Sequence, residues 1–326
     1  MTGMIVGTGS YVPTHVIDNN ELSQFVDTND AWIRERTGIE RRHIAGEETT
    51  VSMACEAGKR ALENGGISPE EIELILVCTI SPNVILPCTA CEVQKQLGAV
   101  NATCFDISAA CTGFVLAYNT ANAYLSAGIY RTALIIGSES LSNLTNWKDR
   151  STCILFGDGA GAAVMRASDA PYYLPVTHSD GEKGSALTLK SRHDCNGITK
   201  KLIPERMTAD EYFMQMDGQA VFKFAVKKVP EVIREVLEKN GIEQDEIGCF
   251  LLHQANRRIV EAVARRLNEP VEKFPMNLRE YGNTSSASIP LLLDELNRAG
   301  SLKRGSLIVL AGFGAGLTWG ASVIRW

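Results

Sequence analysis

The chain repeats itself, and the repeat limits its fold more than any other feature. Asn64-Gly65-Gly66-Ile67-Ser68-Pro69-Glu70-Glu71-Ile72 leads into the apolar run Leu74–Val77. Leu237-Glu238-Lys239-Asn240-Gly241-Ile242-Glu243-Gln244-Asp245-Glu246-Ile247 leads in the same way into Cys249-Phe250-Leu251-Leu252, and Gly66 and Gly241 stand 241 − 66 = 175 positions apart. Ala127-Gly128 through Leu134–Gly137 is echoed by Ala299-Gly300 through Ile308–Gly312, and Gly161-Ala162-Ala163-Val164-Met165 by Gly320-Ala321-Ser322-Val323-Ile324. Each unit pairs helical stretches with short apolar, β-prone runs, so two similar α/β halves are expected, 1–167 and 168–326. Active sites of open α/β sheets collect beyond the carboxyl ends of their strands. Two such halves therefore bring the residues after equivalent strands toward one crevice.

In the first half that place holds Cys111, within Cys104-Phe105-Asp106-Ile107-Ser108-Ala109-Ala110-Cys111-Thr112-Gly113-Phe114. A β-prone piece precedes it, and Phe114–Leu125 reads as a helix without a single charge. Small residues between them permit a sharp turn and close backbone approach. A thiol at the start of that helix meets free N–H groups and the positive end of the dipole, which favour thiolate. A free N–H there can also hold the oxyanion of an acyl transfer. The residue types allow two readings, a nucleophile or a small buried hydrophobe.

Bulk properties exclude several classes. A length of 326 residues accommodates a large core, and 45% hydrophobic with 21% charged residues is ordinary for a soluble protein. A net charge of −6 argues against nucleic-acid binding. Of nine cysteines, only Cys88 and Cys91 are closely spaced, without the second pair or histidines of a zinc site, so reduced cytosolic thiols and no metal are expected. The first residues carry no basic-then-apolar signal pattern, which places the chain in the cytoplasm as an expectation. Ser306–Ile324 is uncharged and long enough to span a bilayer, yet Gly312, Gly314, Gly316 and Gly320 weaken any helix there. It reads as strand, glycine loop, strand. Gly157-Asp158-Gly159-Ala160-Gly161 precedes a strand instead of joining strand to helix, which argues against a dinucleotide fingerprint.

Of five histidines, only His253 follows a buried strand, in Leu251-Leu252-His253-Gln254-Ala255-Asn256. Asn283 lies in Tyr281-Gly282-Asn283-Thr284-Ser285-Ser286, at the place in the second half that Cys111 occupies in the first. Asn283 reads equally as a turn or cap residue. Gly312-Phe313-Gly314-Ala315-Gly316 can aim backbone N–H groups at a substrate oxygen. Together with Ala109-Ala110-Cys111-Thr112-Gly113-Phe114, His253-Gln254-Ala255-Asn256, Gly282-Asn283-Thr284-Ser285 and Trp32-Ile33-Arg34-Glu35-Arg36-Thr37-Gly38-Ile39, this loop closely resembles the β-ketoacyl-[acyl-carrier-protein] synthase III family. The resemblance runs from about Met4 to Trp326.

That resemblance implies a thiolase-like duplicated α/β fold with a layered αβαβα core, and a homodimer. It implies loading of an acyl group from acyl-CoA onto Cys111, then decarboxylative condensation with malonyl-acyl carrier protein, with no cofactor and no membrane or nucleic-acid partner. His253 and Asn283 are expected to steady the enolate, and the N–H groups of Cys111 and the Gly314–Ala315 loop the oxyanion. Degradative thiolases use a second cysteine in the C-terminal loop, and no cysteine follows Cys249 here. Elongating ketosynthases have histidine where Asn283 stands. By matching positions, Trp32 and Arg150 sandwich adenine, Thr28 and Arg36 reach the nucleotide, and Gly218, Phe222 and Asn256 line the pantetheine tunnel. Leu86, Leu141, Phe156 and Phe313 form the acyl pocket. Arg257, Arg258, Arg265 and Arg266, with Lys223, form a basic face for an acidic carrier protein. Two positions depart from the family pattern. Ala315 stands where many members have glycine, and Leu86 replaces a phenylalanine by which the partner subunit caps the pocket, which implies room for longer or branched primers. A condensing enzyme of secondary metabolism and a non-catalytic carrier-binding subunit are the alternatives. The shape of the polar 179–217 stretch is left open.

Overall fold

A computed structural model describes residues 1–190 and 212–326; the 191–211 part of the polar stretch lies outside the described residues. The first sheet contains β1 (Thr2–Tyr11), β2 (Leu74–Cys78), β3 (Thr103–Ile107), β4 (Thr132–Glu139) and β5 (Gly159–Ser168), in the order β1-β5-β4-β2-β3. The second contains β6 (Val176–Ser179), β7 (Ile247–Leu252), β8 (Leu307–Gly314) and β9 (Thr318–Arg325), in the order β6-β9-β8-β7. Four strands of the first sheet match the four of the second in order and in direction, and β3 has no counterpart among the described residues. β1/β5 and β6/β9 are antiparallel, β4/β5 and β8/β9 are antiparallel, and β2/β4 and β7/β8 are parallel. The repeat read in the sequence is a repeat of topology.

Six helices complete the layers. α1 (Thr50–Gly65) is held at its start by a capping box between Thr49 and Ser52 and ends on Gly66 in the left-handed conformation, as glycine-terminated helices do. α2 is Thr89–Leu97, α3 Gly113–Ser126, α4 Gly218–Asn240, α5 Arg257–Leu267 and α6 Ser288–Arg298. One apolar cluster joins α1 and α2 to the outer face of the first sheet, and another joins α4 and α5 to the outer face of the second. A third holds α3 and α6 between the sheets, with Leu74, Ile135, Leu251, Leu310 and Trp326 among its members. This is a five-layer αβαβα sandwich, and burial of its apolar strand faces supplies the main driving force. The uncharged α3 is therefore buried inside its own chain, so its composition gives no support to burial at a dimer centre. Ser306–Ile324 forms the β8/β9 hairpin, and no helix among the described residues is long and apolar enough to cross a membrane.

Candidate active site

The two central helices begin alike. A one-turn 3-10 segment, Ala110–Thr112, precedes α3, and Ser285–Ala287 precedes α6. Each turn opens on a non-glycine residue at positive φ, Ala110 at 44° and Ser285 at 49°. Such strain persists where surrounding packing fixes it, as functional turns require. The packing here is backbone against backbone. A Cβ on Gly137 would fall 2.2 Å from the Ser286 carbonyl oxygen, and one on Gly314 would fall 2.9 Å from Cys111 Cβ. Glycine is required at both positions because the strands run directly under the turns.

Cys111, His253 and Asn283 lie 142 and 30 residues apart (253 − 111, 283 − 253), yet all three line one cavity of about 210 Å³. All three are buried. His253 follows β7 and continues its pairing, its N–H donating to the Ala311 carbonyl at 2.9 Å. Its Nδ1 lies 2.7 Å from Ser288 Oγ, which donates its own proton to the Ser285 carbonyl at 2.8 Å. Ser288 must then accept from Nδ1–H, and Nε2 of the neutral ring carries the lone pair. Asn283 is held on both sides of its backbone by Leu155 and Gly157, and its Oδ1 accepts from the Ser285 N–H at 2.9 Å. That fixes the amide and leaves its NH2 to donate.

The Cys111 thiol lies 3.4 Å from the Ser285 hydroxyl, to which it donates. Burial pushes the thiol up to about 12; the Ser285 hydroxyl opposes this, Glu139 adds to it, and the Cys111 backbone N–H opposes it. Burial also brings His253 down to about 3. The resting site thus holds a neutral thiol and a neutral imidazole. The helix-start argument for a standing thiolate is outweighed here by desolvation.

The remaining expected residues divide. Leu141, Phe156, Phe313, Gly314, Ala315, Gly218, Phe222 and Asn256 line the same cavity. The Phe313 ring meets His253 edge-on, centroids 5.1 Å apart. Arg150 stacks on Trp32 at 4.9 Å and Arg36 stands 5.9 Å from the same ring, outside the cavity. Thr28 Oγ1 is buried and has no hydrogen-bond partner among the described residues. Arg258 lies over Phe222 at 5.5 Å, at the cavity wall, while Lys223, Arg265 and Arg266 are exposed. Arg257 is engaged by Glu261 at 3.5 Å and by the Arg34 carbonyl at 3.4 Å. Leu86 is the exception. It is 85% exposed and stands outside its own chain's cavity, because the loop that carries it, with Val84 and Ile85, points its apolar side chains away from the core. Sequence reasoning missed Ser285 and Ser288, the partners of the thiol and the imidazole, and Ile80, Met214 and Met216 in the cavity wall. The hydroxyl run from Thr284 to Ser288 in an apolar, uncharged stretch was the available signal.

A duplicated αβαβα fold that brings a cysteine, a histidine and an asparagine from both halves into one apolar cavity is the plan of a thiolase-fold condensing enzyme. Sequence comparison narrows the class. The family described as 3-Oxoacyl-[acyl-carrier-protein (ACP)] synthase III matches residues 105–181, and its C-terminal part residues 237–326. Beta-ketoacyl-[acyl-carrier-protein] synthase III of Desulfitobacterium hafniense is 48% identical over 99% of this chain and 97% of its own. The crystal structure of 3-oxoacyl-[acyl-carrier-protein] synthase III from Aquifex aeolicus superposes with a TM-score of 0.92 at 43% identity, over 99% of this chain and all of that one. A priming β-ketosynthase of the R1128 polyketide pathway superposes equally well, at 36% identity over 99% of this chain and 96% of its own. The chain belongs to the β-ketoacyl-[acyl-carrier-protein] synthase III family, the condensing enzymes that initiate type II fatty-acid synthesis.

Proposed function

We propose that this enzyme loads an acyl group from acyl-CoA onto Cys111 and condenses it with malonyl-acyl carrier protein, His253 and Asn283 serving the second step. The observation that carries the reading is the meeting of these three side chains in one cavity. In loading, Nε2 of His253 is the ring position able to take the thiol proton as Cys111 attacks the thioester carbon. The N–H groups of Cys111 and the Gly314–Ala315 segment hold the oxyanion. The C–S bond to CoA then breaks and the proton leaves with the CoA thiol. In condensation, loss of CO2 from the malonyl group leaves an enolate oxygen, which the Asn283 amide and His253 Nε2–H stabilise. The carbanion attacks the Cys111 thioester and expels the cysteine sulfur as a thiolate, which takes a proton from solvent to restore the resting thiol, giving the 3-ketoacyl product.

His253 is asked for opposite roles in the two stages, acceptor and then donor. The Ser288 hydroxyl supplies both. Turned to the Ser285 carbonyl it accepts from Nδ1–H and leaves Nε2 basic. Turned to Nδ1 it donates and places the ring proton on Nε2. The reaction needs only thioester substrates and no cofactor.

The stacked Trp32 and Arg150, with the exposed Arg36 beside them and the Thr28 hydroxyl without a partner among the described residues, support an adenine and nucleotide site that opens to admit the base. Gly218, Phe222 and Asn256 lead from there to the triad as the pantetheine tunnel. Lys223, Arg258, Arg265 and Arg266 fit docking of an acidic carrier, with Arg257 at their edge. The exposed Val84-Ile85-Leu86 loop fits insertion into a second copy, where Leu86 would close the partner's acyl pocket. A carrier of secondary metabolism is the second reading, favoured by the equal fit to the polyketide priming enzyme.

Intact-mass measurement after mixing with acetyl-CoA tests the proposal, beside a Cys111→Ser control. One acetyl group gained, absent in the control and discharged by malonyl-carrier protein, is the expected result. A gain that malonyl-carrier protein of fatty-acid synthesis leaves in place moves the acceptor to another pathway. No gain with acetyl-, isobutyryl- or longer acyl-CoA refutes the reading.

A further inference from the structure

Directly behind the site lies a carboxyl group that the reaction above does not use. Glu139, the last residue of β4, is completely buried. Its Oε2 accepts from the Ser81 hydroxyl at 2.6 Å, the Ile80 N–H at 3.1 Å and the Thr79 hydroxyl at 3.2 Å. Its Oε1 lies 2.9 Å from Ser286 Oγ, and that same oxygen lies 2.8 Å from the Cys78 carbonyl. Ser286 has one proton and cannot donate to both. The contacts are all satisfied in a single arrangement, with Oε1–H donating to Ser286 and Ser286 donating to the Cys78 carbonyl. That arrangement requires the protonated acid.

The surroundings agree. Among the described residues no ion pair reaches Glu139; the Thr79–Ser81 loop and the Ser285–Ala287 turn offer it hydroxyl and N–H groups only. The titratable groups that would feel a charge on Glu139 are the thiols of Cys78 and Cys111, and Asp106 lies within electrostatic reach of Cys78. An unpaired carboxylate in such a place is strongly disfavoured by desolvation. Burial raises its pKa against the opposing effect of its hydrogen bonds.

We propose that Glu139 is a positioning residue kept as a neutral acid, tying the Thr79–Ser81 loop to the Ser285–Ala287 turn without setting a negative charge against the Cys111 thiolate. It joins the loop carrying Ile80, which lines the acyl cavity, to the turn that carries Ser285, the partner of Cys111, and Asn283 just before it. The proposal deepens the reading of Cys111 as nucleophile. Its test reads the thiol itself, so it stands or falls whether or not Cys111 carries an acyl group.

The measurement is the rate of iodoacetamide alkylation at the Cys111 peptide from pH 6 to 10, in the wild type, Glu139→Gln and Glu139→Ala. Glutamine copies the donor and acceptor pattern of the protonated acid, so its profile should lie within about twofold of the wild type at every pH. Acyl loading lost in the alanine variant by about tenfold should be largely restored in the glutamine one. Removal of a standing negative charge would raise the thiolate fraction by about tenfold or more at neutral pH. Alkylation of Glu139→Gln that much faster than wild type overturns the neutral acid. Equal loss of loading in both variants overturns the tie between the loop and the turn. Should the variants fail to fold, infrared spectroscopy of the wild type decides: a protonated carboxyl stretch at pH 7 supports the proposal, and its absence overturns it.

Discussion

Replacing Ser288 by alanine separates the two half-reactions, because this hydroxyl decides where the His253 proton sits. In the resting site Ser288 accepts from Nδ1–H at 2.7 Å, and both groups are buried. Without it Nδ1–H has no acceptor, and a buried unpaired donor costs about 1–3 kcal/mol. The ring escapes that cost by moving its proton to Nε2, where the cavity is open. The form needed for loading, with the lone pair on Nε2, then lies about 1–3 kcal/mol higher, which slows loading by roughly 5- to 150-fold. Condensation needs Nε2–H and loses much less. Stopped-flow or quench-flow mass analysis of Cys111 acylation by acetyl-CoA gives the first rate. Discharge of pre-acylated enzyme by malonyl-carrier protein gives the second. Equal losses in the two rates, or a larger loss in condensation, would refute the tautomer argument and return Ser288 to a packing role.

Three other expectations follow from the same geometry. Gly314→Ala should reduce acylation at least about a hundredfold, since its Cβ would press to 2.9 Å from Cys111 Cβ and 3.1 Å from its nitrogen; a near-normal acylation rate would show that the strand can shift freely. Arg258→Glu should raise KM for malonyl-carrier protein at least about tenfold and leave acyl-CoA loading within twofold, and equal loss in both would remove the docking role. His253 titrates near 6.5 when unfolded but is held to about 3 in the fold, so below pH 6.5 the unfolded chain binds a proton that the folded chain refuses. Stability should therefore fall by up to about 5 kcal/mol as pH drops toward 3. Urea midpoints of His253→Gln should fall less steeply over that window than those of the wild type.

What the sequence made legible was whatever is local or repeated. Leu74–Val77 and Cys249–Leu252 are apolar runs too short for helices, with matching approach segments, and they became equivalent strands in equivalent sheets. Helix ends are local in the same way, since a cap needs only its own neighbours: Asn29 caps the short helix Asp30–Thr37, and Thr49 and Gly66 cap the two ends of α1. His253 stood out because it follows a buried strand, and Cys111 and Asn283 because they hold equivalent places in the two halves. The hydroxyl network was not legible. Ser288 on a helix face looks like any polar residue until β7 places His253 beside it, and Glu139 looks like a strand-end surface charge until Ser81 and Ser286 close over it. Leu86 failed for a related reason. Its place in the acyl pocket rested on the proposed second copy, and within this chain it stands in solvent.

The electrostatics of the site follow from the same division. Local reasoning put Cys111 at a helix start and read a thiolate; the surrounding layers buried it and made the neutral form dominant. A thioester-transfer enzyme gains from this ordering. A standing thiolate beside an open apolar tunnel would be exposed to oxidation and alkylation between turnovers. With thiol and imidazole neutral and Glu139 neutral behind them, the described residues put no charge in the cavity until a substrate carbonyl reaches the N–H groups of Cys111 and the Gly314 segment and supplies a place for it. The site is then preorganised for charge that develops during reaction, which is where electrostatic stabilisation lowers a barrier instead of merely tightening binding.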